Sequence, residues 1–285
     1  MIPQNFDYAT PANLQEALGL LANEDVKVLA GGMSLIPLMK LRLATPAQLV
    51  DIGRIPGLNT IREEKGTLRI GATTTHYEVE SSALVRSKCP LLAEAASHIG
   101  DIQVRNVGTI GGSVAHADPA ADYPAALLAL EAKLILMSAK SDREVPIAEF
   151  FLDTFTTALQ PGEIIREVIL PVEDQATGTC YQKMPQPASG FAIVGVAARV
   201  RKSGGKIGMA RVGVTGLSGK PYRASAVEKA LEGTAGAASD IQKAAALVAD
   251  GVDANSDLNA SADYRKHLAR IYAMRALTIA LSRTA

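Results

Sequence analysis

Two glycine pairs that are followed closely by a serine constrain this chain more than any other feature. LAGGMSL runs from Leu29 to Leu35, and TIGGSVAHADPAAD runs from Thr109 to Asp122. Glycine tolerates positive φ and lets a ligand approach main-chain N–H groups, while a helix N-terminus adds partial positive charge. A strand, a glycine turn and a helix in that order therefore suit phosphate oxygens.

Neither glycine pair is strong evidence alone, because such pairs mostly mark plain turns. Neither segment matches the dinucleotide fingerprint G-x-G-x-x-G or the phosphate loop G-x-x-x-x-G-K-S/T. The first segment still fits a phosphate cradle, whereas Asp118 and Asp122 in the second suit sugar hydroxyls, since carboxylates repel phosphate. Together the two segments fit an extended dinucleotide, so the residues predict a nucleotide cofactor.

Composition excludes several other classes of protein. The chain has 285 residues with 48% hydrophobic content, which is enough for one large domain or two smaller ones. Its 29 basic and 29 acidic residues cancel without clustering, so a nucleic-acid partner is not expected. Because no apolar run is long enough for a bilayer and the first residues do not resemble a signal peptide, we expect no transmembrane segment and a cytoplasmic location.

The hydrophobic pattern changes character along the chain. The first part alternates short strands and helices: the PANLQEALGLLA helix, the VKVLA strand, a helix at SLIPLMKLR that Ser34 can cap, and the QLVDI strand predict a parallel βαβ unit. The stretch from Thr109 to Asp122 is interpreted as a loop. After a polar boundary near Pro171 to Thr179, three strand-like runs predict an antiparallel meander, and helices follow it.

Residues with their own redox or acid–base chemistry are scarce. Cys89 and Cys180 are far apart and lack histidines at metal-site spacing, so we expect ordinary thiols and no metal or iron–sulfur site on this chain. The sequence has no recognisable Ser-His-Asp context, no H-E-x-x-H and no suggestive carboxylate pair, so no catalytic residue is assigned. Any redox chemistry therefore belongs to a cofactor.

Three ordered motifs resemble a known family. LAGGMSLIPLMKLRLATPAQLVDI, IQVRNVGTIGGSVAHADPAAD and EIIREVILP together resemble the FAD-binding subunit of molybdenum hydroxylases, in particular the medium subunit of aerobic carbon monoxide dehydrogenases. The resemblance implies an α+β fold: a two-subdomain FAD-binding fold of the p-cresol methylhydroxylase and vanillyl-alcohol oxidase type, then a small domain with a three-stranded antiparallel sheet and helices. The implied limits are 1–172, with subdomains at about 1–55 and 56–172, and 178–285.

The resemblance also implies a set of FAD-binding residues. The first segment would contact the pyrophosphate and the second would add another contact, while Asp122 would accept hydrogen bonds from ribose or ribityl hydroxyls. Ile165 would pack near the flavin, and Lys183 would approach the ring and stabilise its anionic reduced form. The alternative for Lys183 is a solvent-facing strand lysine. The full set is Leu29, Ala30, Gly31, Gly32, Met33, Ser34, Leu35, Thr109, Gly111, Gly112, Ser113, Asp118, Asp122, Ile165 and Lys183.

The chain departs from the family pattern at three positions. Ser113 and His116 stand where relatives commonly have asparagine, and Phe191 stands where they often have tyrosine. Ser113 can replace the hydrogen bond of an asparagine. His116 is interpreted either as a neutral hydrogen-bonding residue or as a group that gains a proton beside the cofactor. The phenylalanine removes any hydroxyl-dependent shielding of the flavin face.

The resemblance implies a role in electron transfer. A large partner subunit with a molybdenum cofactor would oxidise the substrate, a small partner subunit with two 2Fe–2S clusters would relay electrons, and FAD on this chain would pass them to an external acceptor. The three chains would form a heterotrimer that dimerises. Two alternatives remain open, a self-sufficient FAD-dependent oxidoreductase and a nonenzymatic nucleotide-binding scaffold. By the same resemblance, the substrate would be set by the molybdenum-containing subunit.

Overall fold

The N-terminal part forms a small parallel sheet in this computed structural model, which describes residues 1–23 and 25–284. Its elements are β1 (Asp7–Ala9), α1 (Leu14–Leu20), β2 (Val26–Leu29), α2 (Leu35–Lys40) and β3 (Gln48–Asp51). The strand order is β1-β3-β2 with parallel pairing throughout, so the predicted βαβ unit is present. Asn13 caps α1 by accepting the Glu16 amide N–H, as expected for asparagine at this position.

The central part is a five-stranded antiparallel sheet with helices against it. Its elements are β4 (Ile61–Glu64), β5 (Thr67–Gly71), α3 (His76–Ser81), α4 (Ala83–Lys88), α5 (Pro90–Ser97), α6 (Ile102–Val107), α7 (Ile110–His116), α8 (Asp122–Ala129), β6 (Lys133–Met137), β7 (Asp142–Pro146), a 3₁₀ turn (Ile147–Glu149), β8 (Phe151–Asp153), β9 (Thr156–Thr157) and β10 (Ile164–Pro171). The order is β4-β5-β10-β6-β7, while β8 and β9 form a separate hairpin.

The C-terminal part is an antiparallel sheet covered by helices. Its elements are β11 (Thr177–Pro185), β12 (Ala192–Ser203), β13 (Lys206–Thr215), β14 (Tyr222–Arg223), α9 (Ser225–Leu231), α10 (Ala238–Ala246) and α11 (Ala262–Ser282). The three long strands match the predicted meander, and the two-residue β14 adds a fourth strand beside β13. Helix α11 packs across β11 and β12.

Helix α8 joins the central and C-terminal parts. All of its residues are buried, and it packs against α5 on one side and against β12 and β13 on the other. The approach to β13 is so close that a Cβ added to Gly213 would overlap the carbonyl group of Ala125. One continuous hydrophobic cluster runs from the central sheet through α8 to Tyr181 and Ala197 of the C-terminal sheet.

Two local expectations are wrong. The stretch from Thr109 to Asp122 is not a loop throughout, because Ile110–His116 forms helix α7. Ser34 occupies the N-cap position of α2 but makes no side-chain cap hydrogen bond. In the described residues, no helix combines the length and apolar character needed to cross a membrane. The domain limits given above stay predictions.

Candidate cofactor-binding site

The first glycine segment presents main-chain donors to its surroundings. It follows the end of β2 at Leu29, turns at Gly32 with a φ of 71°, and enters α2 at Leu35. Across the described chain, no protein acceptor takes the amide N–H groups of residues 32–35. Met33 is 41% exposed, while its neighbours in the turn are partly exposed. This turn therefore offers several donors to an anion.

The two glycine segments lie side by side. A Cβ added to Gly31 would overlap the carbonyl oxygen of Val107 and would lie 2.8 Å from the Cα of Gly108. Val107 and Gly108 directly precede Thr109, where the second segment begins. Folding thus brings together two stretches that are distant in sequence, as one cofactor site requires. Gly31 permits the contact because it has no side chain.

The second segment uses its own amides inside the protein. The Oγ1 of Thr109 accepts the Gly112 amide at 3.1 Å and so caps α7. The amide of Ile110 donates to Thr74 O, and that of Gly111 donates to Ala72 O at 2.8 Å. Gly111 is also a packing position, since a Cβ there would lie 2.5 Å from the Cβ of Ala72. The second segment therefore presents fewer free amides than the first, although Gly112 stays exposed and Ser113 half-buried.

The turn between α7 and α8 is held by the C-terminal sheet. Asp118 accepts the amide of Ala120 through its Oδ1 at 2.8 Å. The hydroxyl of Thr215 lies 2.7 Å from Pro119 O and 2.8 Å from Ala121 O, and it donates to one of them at a time. The amides of residues 192 and 216 donate to the carbonyls of residues 120 and 119. The position of this turn thus depends on β12 and β13.

Asp122 and Lys183 form a buried ion pair across the two parts of the molecule. Their side chains are 4% and 2% exposed, and Lys183 Nζ lies 2.8 Å from Asp122 Oδ2. Lys183 also donates to His98 O at 2.8 Å, and Tyr181 donates its hydroxyl to Asp122 Oδ1 at 2.6 Å. Burial raises the pKa of Asp122 to about 6, although Lys183 and Tyr181 oppose the shift. The alternative of a solvent-facing Lys183 is wrong.

The remaining residues singled out from the sequence lie around these segments. Ile165 is buried in β10 within the central hydrophobic cluster. His116 ends α7 with its ring 5.1 Å from that of Phe155, and burial lowers its pKa, which favours the neutral interpretation. Phe191 is 43% exposed just before β12. Cys89 and Cys180 are both buried, and burial raises their pKa values to about 12 and about 11.

Sequence reasoning missed the partners of the ion pair. Tyr181 precedes Lys183 by two residues in a strand, so both side chains project from one face of the sheet, and that spacing was the available signal. No comparable signal marks Thr215 or His98, because each acts through a contact between distant segments. A separate cavity of about 560 Å³ lies beside Asn13, Ile55–Leu58, Arg62 and Arg166, and none of the predicted site residues lines it.

Comparison with known proteins identifies the family. Residues 4–173 match the family described as the FAD binding domain in molybdopterin dehydrogenase, and residues 179–280 match the CO dehydrogenase flavoprotein C-terminal domain. The chain belongs to this flavoprotein family. The resemblance drawn from the three motifs is confirmed, and the chain is a medium, FAD-binding subunit of the molybdenum hydroxylase family.

Several relatives of this flavoprotein family match over nearly their whole length. The carbon monoxide dehydrogenase medium chain of Hydrogenophaga pseudoflava is 41% identical, with 100% of both chains covered. The glyceraldehyde dehydrogenase medium chain of Sulfolobus acidocaldarius is 38% identical over 97% of this chain and 98% of that one.

Solved structures of this flavoprotein family share the fold. The carbon monoxide dehydrogenase from Hydrogenophaga pseudoflava that lacks the Mo-pyranopterin moiety has a chain with a TM-score of 0.97 and 42% identity, and a chain of quinoline 2-oxidoreductase from Pseudomonas putida 86 has 0.94 and 31%. Both comparisons cover 100% of each chain. The predicted fold class is confirmed.

The residues present fit FAD as the cofactor of this family. The donor-rich turn at residues 32–35 supplies what diphosphate oxygens need, and it touches the segment that leads into α7. Lys183 lies in a buried ion pair with Asp122, and the two side chains are 2% and 4% exposed. Unused amide donors beside a second glycine segment suit the diphosphate of a flavin dinucleotide.

Proposed function

We propose that this chain carries electrons through FAD from iron–sulfur clusters on a partner subunit to an external acceptor. The single observation that carries the proposal is the pairing of the two glycine segments, which sets the unused amides of residues 32–35 beside the start of α7. Membership of the FAD-binding family supports the choice of cofactor.

The chain's own residues would bind and orient the cofactor. The amides of residues 32–35 would donate to the diphosphate, and the side chains of Ser34 and Ser113 would add hydroxyl donors nearby. Lys183 would place a positive charge near the ring, which favours an anionic reduced form, and ionised Asp122 would offset that charge. The full set of contacts is proposed as Leu29, Ala30, Gly31, Gly32, Met33, Ser34, Leu35, Thr109, Gly111, Gly112, Ser113, Asp118, Asp122, Ile165 and Lys183. Bound FAD supplies the exchange between one-electron donors and two-electron acceptors.

The state of the cysteines supports a need for partner chains. Both thiols are buried, and their raised pKa values disfavour the thiolate that an iron–sulfur cluster requires. We therefore propose a small partner subunit with two 2Fe–2S clusters and a large one with a molybdenum cofactor, in a heterotrimer that dimerises. The relatives named as medium chains of dehydrogenases support this organisation. The complex would act in the cytoplasm.

A charge substitution at the first segment tests the cofactor site. Aspartate is a good N-cap and complements the helix dipole, so Ser34→Asp should preserve or raise stability. Its carboxylate would repel a diphosphate from the free amides, so the affinity for FAD should fall about tenfold or more. The affinity is measured by titrating the full-length apoprotein with FAD and following flavin fluorescence.

Asn13→Asp is the matched control, because it places the same carboxylate at the N-cap of α1, which carries none of the predicted site residues. We expect its FAD affinity to equal that of the wild type. Equal affinities for the wild type and Ser34→Asp would remove the first segment from the site.

Two further measurements separate the alternatives. A scaffold would show no reducible chromophore in a redox titration, whereas the proposed subunit shows reversible flavin reduction. A self-sufficient oxidoreductase would turn over organic substrates as an isolated chain, whereas we expect turnover only when a molybdenum-containing chain and a cysteine-rich chain copurify. The final acceptor is read from the compound that reoxidises the reduced chain.

A further inference from the structure

Tyr181 is a buried residue that the proposed cofactor contacts do not use. Its side chain is fully buried, and it lies on β11 two residues before Lys183, so both project from the same face of the sheet. Its hydroxyl donates to one oxygen of Asp122 at 2.6 Å while Lys183 donates to the other at 2.8 Å. The carboxylate is thus held from both sides.

The neighbouring strand leaves room for this hydroxyl. Gly195 on β12 lies opposite Lys183 in the strand register, and a Cβ there would overlap the hydroxyl oxygen of Tyr181. The same Cβ would lie 2.8 Å from Cγ2 of Thr215. Glycine weakens the interior of a strand, so this glycine has a structural purpose. It allows Tyr181 to reach Asp122 on α8.

Two other ionisable groups near Asp122, His98 and Tyr123, stay neutral near pH 7. Burial and the charge of Lys183 both lower the pKa of His98, whose ring packs edge-on to Tyr181 at 5.6 Å. On α8 itself, burial raises the pKa of Tyr123 well above its usual value. Lys183 is therefore the cation that faces Asp122 from β11.

The other elements packed on α8 also carry titratable groups, and on α5 Glu94 accepts the Tyr181 amide and pairs with Arg283. Burial lowers the pKa of His76 on α3 to about 4, and its Nδ1 lies 3.3 Å from the Tyr123 hydroxyl. His116 ends α7 beside Phe155. At the far end of α8, Glu131 pairs with arginines of β13 and β14. These groups do not hydrogen-bond to Asp122.

We propose that Tyr181 is a positioning residue, which acts through Asp122 and Lys183 to keep this ion pair charged and aligned beside the flavin. The proposal rests on the proposed function, because it requires FAD next to Lys183. A buried carboxylate is costly unless donors compensate its charge. The Tyr181 hydroxyl is one of the two donors that do so, and its removal would favour the protonated acid.

The pair links protonation to the flavin potential with a definite sign. With Asp122 ionised the pair has no net charge, and with Asp122 protonated it carries one positive charge. Positive charge stabilises an anionic reduced flavin, so protonation of Asp122 raises the midpoint potential. The potential therefore falls with pH across the titration of Asp122. Because the Tyr181 hydroxyl stabilises the carboxylate, its loss moves this fall to higher pH.

The test measures the midpoint potential of bound FAD against pH in the full chain saturated with FAD. We expect Tyr181→Phe to shift the proton-linked fall upward by about one pH unit, the size typical of a lost hydrogen bond to a buried charge. Tyr123→Phe is the matched control, because Tyr123 is equally buried but its hydroxyl faces His76. We expect its curve to coincide with that of the wild type.

Gly195→Ala provides a second variant that keeps the tyrosine. Its Cβ would displace the hydroxyl from Asp122, so its curve should shift in the same direction. The double variant with Tyr181→Phe should shift no further than Tyr181→Phe alone, because the two changes remove one interaction. The Gly195→Ala single variant tests the proposal even if Tyr181→Phe fails to fold.

Each outcome decides the proposal. Upward shifts in Tyr181→Phe and Gly195→Ala with none in Tyr123→Phe support it. Wild-type curves in the first two variants with FAD fully bound overturn it and leave the proposed function standing. A shift of equal size in Tyr123→Phe also overturns it. Failure of the wild-type chain to retain FAD contradicts the proposed function, and the proposal then fails with it.

Discussion

The two glycine pairs look alike in sequence and differ in what their backbones do. In the first pair, Gly32 adopts a positive φ and the amides that follow it have no acceptor in the described part of the protein. In the second, Gly111 and Gly112 begin a helix, and their amides donate to Ala72 O and to Thr109 Oγ1. The first pair therefore presents donors outward, while the second binds its own segment to the sheet.

The comparison teaches that a glycine in a candidate cofactor site can be required for protein packing. Gly31 and Gly111 both sit where a Cβ would collide with another backbone segment, at Val107 in one case and at Ala72 in the other. A substitution at either position acts first on folding. Only measurements that separate stability from FAD affinity can assign a glycine to the ligand.

The largest effect is expected for Gly31→Ala. The new Cβ would overlap the carbonyl oxygen of Val107, and neither backbone can move without separating the two segments. We expect a loss of about 3 kcal/mol or more in the free energy of unfolding, measured by chemical denaturation. Gly19→Ala is the control, because a Cβ there meets nothing within 4 Å and α1 should gain about 0.5–1 kcal/mol. Similar stabilities for the two variants would contradict the close contact.

A smaller loss is expected for Gly111→Ala, about 1–3 kcal/mol, because part of the collision is with a side chain. The Cβ would lie 2.5 Å from Cβ of Ala72 and 2.7 Å from its carbonyl oxygen. Adding Ala72→Gly should recover part of the stability. Full stability of Gly111→Ala would contradict the close contact with Ala72.

Acidification should weaken the second segment through His76. Burial lowers the pKa of this histidine to about 4 from 6.5, and it packs beneath Gly108. The unfolded chain therefore binds more protons between these pH values, so stability falls as the pH decreases, by roughly 1 kcal/mol per pH unit. His76→Gln should flatten this dependence in thermal unfolding, and His267→Gln, an exposed change on α11, should not. A curve unchanged by His76→Gln would contradict a buried neutral histidine.

The smallest effects are expected for substitutions of Ser34 and Thr109, the residues that precede α2 and α7. Thr109→Val removes the cap of α7 and should cost about 1 kcal/mol, with a smaller loss of FAD affinity than Ser34→Ala. Ser34 makes no cap hydrogen bond, so Ser34→Ala should change stability by less than about 0.5 kcal/mol while lowering FAD affinity. Denaturation and FAD titration of both variants check this. If Thr109→Val weakens FAD binding as much as Ser34→Ala, the two segments share the same role.

Local patterns predicted most of the fold. The apolar periodicity found α1 and the helices that follow the meander, and the three strand-like runs after the polar boundary found β11, β12 and β13. These elements were predictable because their signals lie within one stretch of chain. Strand β14 was missed, since two residues carry no periodicity and pair only because β13 is present. Helix α7 was missed because two glycines lower its helix propensity, while the Thr109 cap and contacts with Ala72 and Thr74 restore it.

The sequence indicated candidate site residues, but it did not indicate which of them contact one another. Sequence indicated the glycine segments, Asp122 and Lys183, yet it could not show that the last two neutralise each other. That contact joins α8 to β11, and nothing in either stretch records the other. The roles of Thr215 and Gly195 were likewise invisible, because each depends on a distance between distant segments.

The hydrogen bonds from β13 to the turn at residues 119–121 affect the order in which the chain folds. A chain emerges from the ribosome with its N-terminal part first. The carbonyls of Pro119 and Ala121 can therefore accept the Thr215 hydroxyl only after nearly a hundred further residues have been synthesised. The turn between α7 and α8 reaches its final shape only after that delay. A cofactor that arrived during synthesis would find this turn not yet folded. We therefore expect FAD to bind the completed polypeptide.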